Sequence, residues 1–368
     1  MSNILKYTDE LGPLKIVHIY NPQSGLKAVL AIDNVACGPS IGGVRMAPDV
    51  TEEEAFRLAR AMTLKNAAAG LAHGGGKSVI QADPRSITTQ QKEGLVRSFA
   101  QAIKDLVEYI PGPDMGTDEI CMAWIKDEIK RSVGLPREVG GIPLDEIGAT
   151  GLGLAVAAET AGKLYEINIQ GATVAIQGFG AVGKHAARFL QERGATLISA
   201  ADSTGTITNT EGLNIEQLIK IKEDGGSVID YADGEKGNSE AVISVACDIW
   251  IPAARPDVIR EDNVSQVRTK LIVQGANIPI THEAEQVLFQ QGVHVIPDFI
   301  ANAGGVICAA VEYHEGTETS ALEIIKEKIE LNTKVVIAQS KTDNIPPRQA
   351  ANRLALDRVK KAMEYQKK

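Results

Sequence analysis

The apolar positions of this chain change period several times. Residues 15–20 and 28–32 read as short strands. A helical pattern follows, with Ala55, Leu58, Ala59, Met62 and Ala69 on one repeating face. Thr51 and Glu54 predict a capping box at its start, and Gly70 predicts its stop. The glycine- and proline-rich stretch "GLPREVGGIPLD" reads as a domain boundary. Beyond it the helix-like run "GATGLGLAVAAETAGKLY" leads into "ATVAIQGFGAVGKHAARFLQERGATLISAADSTG". In that segment "TVAIQ" suits a buried parallel strand, residues 184–193 a helix, and "ATLISAAD" a second strand. Three further strand-like runs, "AVISVACDIWIPAA", "KLIVQGAN" and "VHVIPDFIANAGG", end in small or polar residues. Such endings are expected where an open parallel sheet presents the carboxyl ends of its strands to a ligand. Residues 320–368 read as helical and highly charged.

The pattern predicts an α/β protein with two domains around a cleft. An α/β domain occupies residues 1–136 and a doubly wound, Rossmann-like domain residues 137–334, with helices in 335–368 folding back onto the first. The signal for the second domain is Gly178-Phe179-Gly180-Ala181-Val182-Gly183, set between a strand and a helix. Glycines there let the backbone approach a pyrophosphate at the helix N-terminus. The same turn could serve packing alone, but the next strand ends on Asp202, whose carboxylate would accept hydrogen bonds from an adenosine ribose. It would also repel a 2′-phosphate, and no Lys or Arg occurs between Ser203 and Glu216 to bind one. NAD is therefore expected over NADP.

Composition narrows the classes. With 368 residues the chain can bury two cores, and a net charge of -9 argues against non-specific binding to nucleic acid or acidic membranes. No apolar run approaches the roughly 20 residues of a membrane helix. The start, "MSNILKYTDELGPLK", lacks the basic and apolar segments of a signal peptide, so a cytoplasmic protein is expected. Cys37, Cys121, Cys247 and Cys308 form no C-x-x-C pair and the histidines show no ligand spacing, so no metal site is expected.

Candidate chemistry centres on "AGLAHGGGKSVI", residues 69–80. It resembles a phosphate loop, but five residues separate Gly70 from Gly76 where that motif needs four, and a strand rather than a helix follows. Lys77, preceded by glycines that would let a substrate approach, is either a proton-handling group or an exposed loop lysine. Lys65 shares the helical face of Ala55, Leu58 and Met62, and is either a buried functional cation or one that reaches the edge. Asp114, in "IPGPDMGTDE", is a candidate acid or a simple Asx turn. Beside a nicotinamide site, a buried lysine with depressed pKa makes a capable base.

The stretches "QSGLKAVLAID", "GPSIGGVRMAP", "MTLKNAAAGLAHGGGKSVI", "GPDMGT", "GATGLG", "VAIQGFGAVG", "GAN" and "ANAGGV" occur in an order and spacing that resembles the glutamate/leucine/phenylalanine/valine dehydrogenase superfamily. The resemblance covers nearly the full length and makes the first domain the substrate domain. It implies that Lys65 binds the substrate α-carboxylate, that Lys77 is the catalytic base, and that Asp114 moves protons to and from the substrate nitrogen. Gly42, Gly43 and Val306 complete the implied substrate set. Thr150 and Asn277 are implied beside the nicotinamide, with Ala253 and Asn302 in the cofactor set. Glutamate-specific members carry a lysine where this chain has Ile41 and a serine where it has Ala309. A glutamate carboxylate left unpaired there would cost on the order of several kcal/mol. The expected reaction is thus NAD-dependent, reversible oxidative deamination of an apolar (branched-chain or aromatic) L-amino acid by a homo-oligomer. The nucleotide half looks closer to glutamate-type members, so glutamate dehydrogenase is the alternative. A catalytically silent NAD-binding regulator is the alternative of another class.

Overall fold

The computed structural model describes residues 7–366. The first residues of the stretch inspected for a leader, and the last two of the expected C-terminal helices, lie outside the described residues. The chain divides into two compact units. One comprises the chain up to Pro143, Val306–Ala321 and the chain from Asn352; the other comprises Leu144–Gly305 and Leu322–Ala351. The division expected at 136/137 and 334/335 therefore differs from the units at each crossing.

The first unit is built on five strands: β1 (Lys15–Asn21), β2 (Leu26–Asn34), β3 (Ser40–Ala47), β4 (Gly74–Gln81) and β5 (Tyr109–Pro113). Their order is β1-β2-β4-β3-β5. β2 runs antiparallel to β1 and β4, while β3 runs parallel to β4 and β5. Helix α1 (Glu52–Ala68) packs Ala55 and Ala59 against Ala31 and Val79 on one face. Helices α2 (Thr89–Ala102) and α3 (Glu119–Ile129) bury Val96, Phe99, Met122 and Ile125 against Leu30, Val44, Met46 and Ile80 on the other.

Two expectations change here. The buried stripe of α1 runs through Ala55, Ala59, Thr63 and Asn66 rather than Leu58 and Met62, which are only half-buried. The reason lies in β4. A Cβ on Gly75 would meet the Thr63 nitrogen at 2.0 Å and the Ala59 oxygen at 2.4 Å, so only small side chains fit where helix and strand meet. Of the capping box only half forms: Thr51 accepts from the Glu54 N–H, but the Glu54 carboxylate turns to Arg45.

The second unit begins with α4 (Ala149–Leu164) and continues through β6 (Thr173–Gln177), α5 (Ala181–Gln191), β7 (Thr196–Ala201), β8 (Thr206–Thr208), α6 (Ile215–Glu223) and β9 (Glu235–Gly237). Then come β10 (Cys247–Pro252), β11 (Thr269–Val273), α7 (His282–Gln290), β12 (His294–Ile296) and α8 (Asp298–Ala301). The chain ends through α9 (Gly304–Tyr313), α10 (Glu318–Asp343) and α11 (Pro347–Glu364). The sheet order is β12-β11-β10-β6-β7-β8-β9, parallel from β12 to β7 and antiparallel thereafter. The strand order reverses between β6 and β10, where such sheets bind their ligands. Helix α5 starts three residues earlier than the expected 184–193, directly on the glycine turn. The expected strand at "AVISV" is instead a 3₁₀ turn, Ala241–Ser244, and pairing begins at Cys247. Among the described residues no helix is long and apolar enough to cross a membrane.

Candidate active site and cofactor groove

In the first unit Lys77 lies within β4, between β2 and β3, rather than in a loop. Its side chain is 5% exposed and its Nζ donates to Oδ2 of Asp114. Asp114 follows β5 directly. Its N–H donates to Thr117 Oγ1 at 3.0 Å, and that hydroxyl donates to the Val44 carbonyl at 2.7 Å, fixing the turn to β3. The Asp114 carboxylate accepts from the Met115 N–H at 2.7 Å and from Arg45 Nε at 2.8 Å, both on Oδ1. Each carboxylate oxygen therefore faces one cation. Burial pushes the Lys77 amine down from its ordinary range. Burial opposes ionisation of Asp114 too, but Lys77 and Arg45 outweigh it and hold the carboxyl below the usual range.

The glycines have a packing role that the sequence does not show. A Cβ on Gly74 would meet the Asn34 carbonyl oxygen at 1.8 Å, and one on Gly76 the Tyr109 ring at 2.8 Å. Together with Gly75 under α1, the triple glycine lets the protein's own segments close on β4. On β3, Gly42 serves the close approach of backbone to β4 in the same way, and Gly43 borders the Lys77–Asp114 pair. A Cβ on Gly42 would lie 1.6 Å from the Gly76 carbonyl oxygen, and one on Gly43 would lie 2.9 Å from Asp114 Oδ2 and 3.0 Å from Lys77 Nζ. Ile41 shares this strand and is buried, Lys65 is half-buried in the last turn of α1, and Val306 and Ala309 lie half-buried on α9. Ile41, Val306 and Ala309 stand outside the hydrogen-bonded cluster. Arg45 and Glu54 belong to it and were missed, although an arginine in the otherwise apolar "GGVRMAP" is a visible signal.

In the second unit a groove of about 790 Å³ lies at the carboxyl ends of β6, β7 and β10. It gathers Gly178, Phe179, Gly180, Ala181, Val182, Asp202, Ser203 and Ala253. Gly178 has φ +91°, and a Cβ there would meet Ala254 at 2.7 Å; Gly183 packs 2.1 Å from the Gly178 carbonyl oxygen by the same measure. A Cβ on Gly180 would meet nothing within 4 Å. The first N–H groups of α5 have no partner within the helix and suit a diphosphate. Gln177, which also lines the groove, has a buried Oε1 without a hydrogen-bond partner. The donor and acceptor set fits a dinucleotide.

Asp202 is more engaged than the sequence suggests. Its carboxylate accepts from Lys222 Nζ at 2.7 Å, Ser227 Oγ at 2.9 Å, the Val228 N–H at 3.0 Å and the Thr204 N–H at 2.9 Å. These bonds overcome burial and hold its pKa at about 2. Lys222, on α6, places a cation in the groove that the residues immediately after Ser203 do not supply. Thr150, Asn277 and Asn302 lie outside the groove lining. Asn302 donates to Asn277 Oδ1 at 3.0 Å and to the Gly275 carbonyl at 3.2 Å, so those two stand together. Thr150 opens α4, where a Cβ on Gly305 would come within 3.4 Å of its hydroxyl.

A glycine-turn dinucleotide fold in one unit and a buried Lys–Asp pair in the other define a nicotinamide-dependent dehydrogenase. The family description "Glutamate/Leucine/Phenylalanine/Valine dehydrogenase" matches residues 140–367, and "Glu/Leu/Phe/Val dehydrogenase, dimerisation domain" matches residues 14–131. The chain belongs to this family of amino-acid dehydrogenases. It is 38% identical to a glutamate dehydrogenase of Aeropyrum pernix, over 90% of this chain and 84% of that one. It is 37% identical to an NADP-specific glutamate dehydrogenase of Saccharolobus shibatae (90% and 83% covered) and 34% identical to an NAD-specific glutamate dehydrogenase of Staphylococcus aureus (90% and 84%). Among solved structures it is similar to a hetero-hexameric glutamate dehydrogenase of Thermus thermophilus in a leucine-bound form. The TM-score is 0.84 at 27% identity, covering 97% of this chain and 91% of that one. An L-tryptophan dehydrogenase of Nostoc punctiforme gives a TM-score of 0.78 at 25% identity, covering 98% and 99%.

Proposed function

We propose that this chain catalyses the reversible oxidative deamination of an L-amino acid to a 2-oxo acid and ammonium. The observation that carries this reading is the buried Lys77–Asp114 pair, an amine and a carboxylate held against each other by β4 and the turn after β5. When bound, the nicotinamide accepts the hydride that leaves the substrate Cα. Lys77, in its neutral form, takes the proton of the water that adds to the resulting iminium carbon. Asp114, as the carboxylate, takes a proton from the substrate ammonium before the hydride leaves and returns it to the nitrogen of the carbinolamine. The C–N bond then breaks as C=O forms; the nitrogen leaves as ammonia and takes up the hydroxyl proton to become ammonium, while the proton held by Lys77 passes to solvent. Lys65 holds the α-carboxylate. A silent NAD-binding regulator would have no use for this pair, which argues against that alternative.

For the side chain, the glutamate dehydrogenases among its relatives support glutamate over the apolar substrate expected from the sequence. The apolar reading keeps one support: the resemblance puts Ile41, 3% exposed, and Ala309 where glutamate-specific members carry a lysine and a serine. For the cofactor, the ionised Asp202 at the end of β7 supports NAD, while Lys222 beside it tempers the exclusion of NADP. The dimerisation-domain description supports a homo-oligomer. The experiment is an initial-rate screen of L-amino acids with NAD and with NADP. Reduction of neither cofactor by any amino acid would overturn the reading, and the kcat/KM ratio of glutamate to leucine, valine, phenylalanine and tryptophan decides the side chain.

A further inference from the structure

Four charged side chains from four segments form a chain of alternating sign. Glu54 stands in the first turn of α1, Arg45 on β3, Asp114 after β5 and Lys77 on β4. The Arg45 guanidinium spends one arm on each carboxylate, Nε on Asp114 Oδ1 at 2.8 Å and one terminal nitrogen on Glu54 Oε1 at 2.5 Å. A guanidinium that served only to neutralise Asp114 would grip both oxygens of one carboxylate, its preferred geometry. Here the single contact leaves Oδ2 to Lys77, and Glu54 takes the second arm at the cost of its own half of the capping box. Gly43 leaves the pair its place, since a Cβ there would lie 2.7 Å from Asp114 Cβ and 3.0 Å from Lys77 Nζ.

We propose that Arg45, backed by Glu54, is a positioning residue that orients Asp114 and sets the pH range over which Lys77 serves as a base. This rests on the deamination reading above. The charged groups facing Lys77 are Asp114, Arg45 from β3 and Glu54 from α1. The nearby Tyr109 phenol of β5, bonded to Ser78 and the Gly42 carbonyl, is buried and pushed above its ordinary range, so it stays neutral. Arg45 lowers the Lys77 pKa and Glu54 raises it. Removing one or the other must therefore move the titration of Lys77 in opposite directions. A purely structural role would lower activity in both variants without opposed shifts.

The test uses Arg45→Met, Arg45→Lys and Glu54→Gln in the full-length protein. The pH profile of kcat/KM for deamination is measured on each. In parallel, without substrate, the pH dependence of Lys77 acylation by acetic anhydride is followed by peptide mass spectrometry. Because the base must be neutral, the acidic limb should rise by about 0.5 to 1 pH unit in Arg45→Met and fall by about 0.3 to 0.5 in Glu54→Gln. Arg45→Lys, which keeps the charge, should hold the limb near its original position, and the acylation midpoints should follow the same order. Limbs and midpoints that stay fixed, or move the same way in both charge-removing variants, overturn the proposal. If Arg45→Met does not fold, the Glu54→Gln and Arg45→Lys pair still decides it. Opposed acylation midpoints in a protein that oxidises no amino acid would support the coupling and overturn only the deamination reading. Turnover with unmoved midpoints would do the reverse.

Discussion

Asp202→Ser puts the cofactor assignment to its sharpest test, because the carboxylate would repel a 2′-phosphate and also engages Lys222, a cation in the groove lining. Lys222 Nζ lies 2.7 Å from Asp202 Oδ2. The substitution removes one negative charge and releases that ammonium into the groove. A unit charge about 5 Å from a 2′-phosphate, at an effective dielectric constant of roughly 20 to 80, is worth about 1 to 3 kcal/mol. Lys222 is partly exposed, so solvent screening places the effect near the lower end, about a tenfold gain in the NADP-to-NAD ratio of kcat/KM. The assay is initial rates with both cofactors at low and high salt, on the wild type, Asp202→Ser and the double variant with Lys222→Met. The gain should shrink with salt and be clearly smaller in the double variant, where only the relief of repulsion remains. A ratio that moves by less than about threefold, or a gain undiminished by loss of Lys222, refutes the reasoning.

The same substitution has a stability signature. The Asp202 carboxyl has its pKa lowered from 3.8 to about 2 in the folded chain, so its ionised form stabilises the fold above the unfolded value. That contribution is complete near neutral pH and is lost as pH falls through about 2. Asp202→Ser should cost about 1 to 3 kcal/mol in urea unfolding at neutral pH, with the difference from wild type shrinking toward pH 2.

How far the sequence carried the structure depended on whether each signal was local. Strand, glycine turn, helix and strand around Gly178–Gly183 are contiguous, and the period of each piece is set by its own residues. The groove forms where that reading places it. Lys222 was missed because β8 and α6 bring it back across 20 residues to Asp202, beyond any window read forward from Ser203. Strands β8 and β9 have three residues each, too few to show a period of two. The triple glycine was visible, but its role in the approach of α1 and Tyr109 to β4 is a fact of tertiary packing. The α1 stripe failed for the same reason: a contact face made of alanine and threonine is less hydrophobic than the leucine and methionine beside it. Arg45 stood in plain view, but only its partners, 69 residues on at Asp114 and 9 on at Glu54, give it a role.

Three further outcomes are expected. Lys77→Ala should lower kcat by on the order of 10²-fold or more while cofactor binding by fluorescence stays intact, and a surviving kcat would remove Lys77 from the mechanism. Gly43→Ala places a methyl group 2.7 Å from Asp114 Cβ and must displace that carboxylate. Its kcat should fall at least about tenfold with a much smaller loss in thermal stability, and equal losses in both would mean that Gly43 serves packing alone. The last concerns the substrate side chain. Ile41 is almost fully buried, so Ile41→Lys brings an ammonium into a site with no carboxylate of its own among the β3 residues beside it. An apolar side chain leaves that charge unpaired, whereas glutamate supplies its partner. The ratio of kcat/KM for glutamate over leucine should therefore rise by about tenfold or more, and Ala309→Ser should add to it through a charge-assisted hydrogen bond. This holds whichever substrate the unmodified chain prefers. An unchanged ratio in a folded Ile41→Lys protein means that β3 does not face the substrate side chain, and both specificity readings built on Ile41 fall with it.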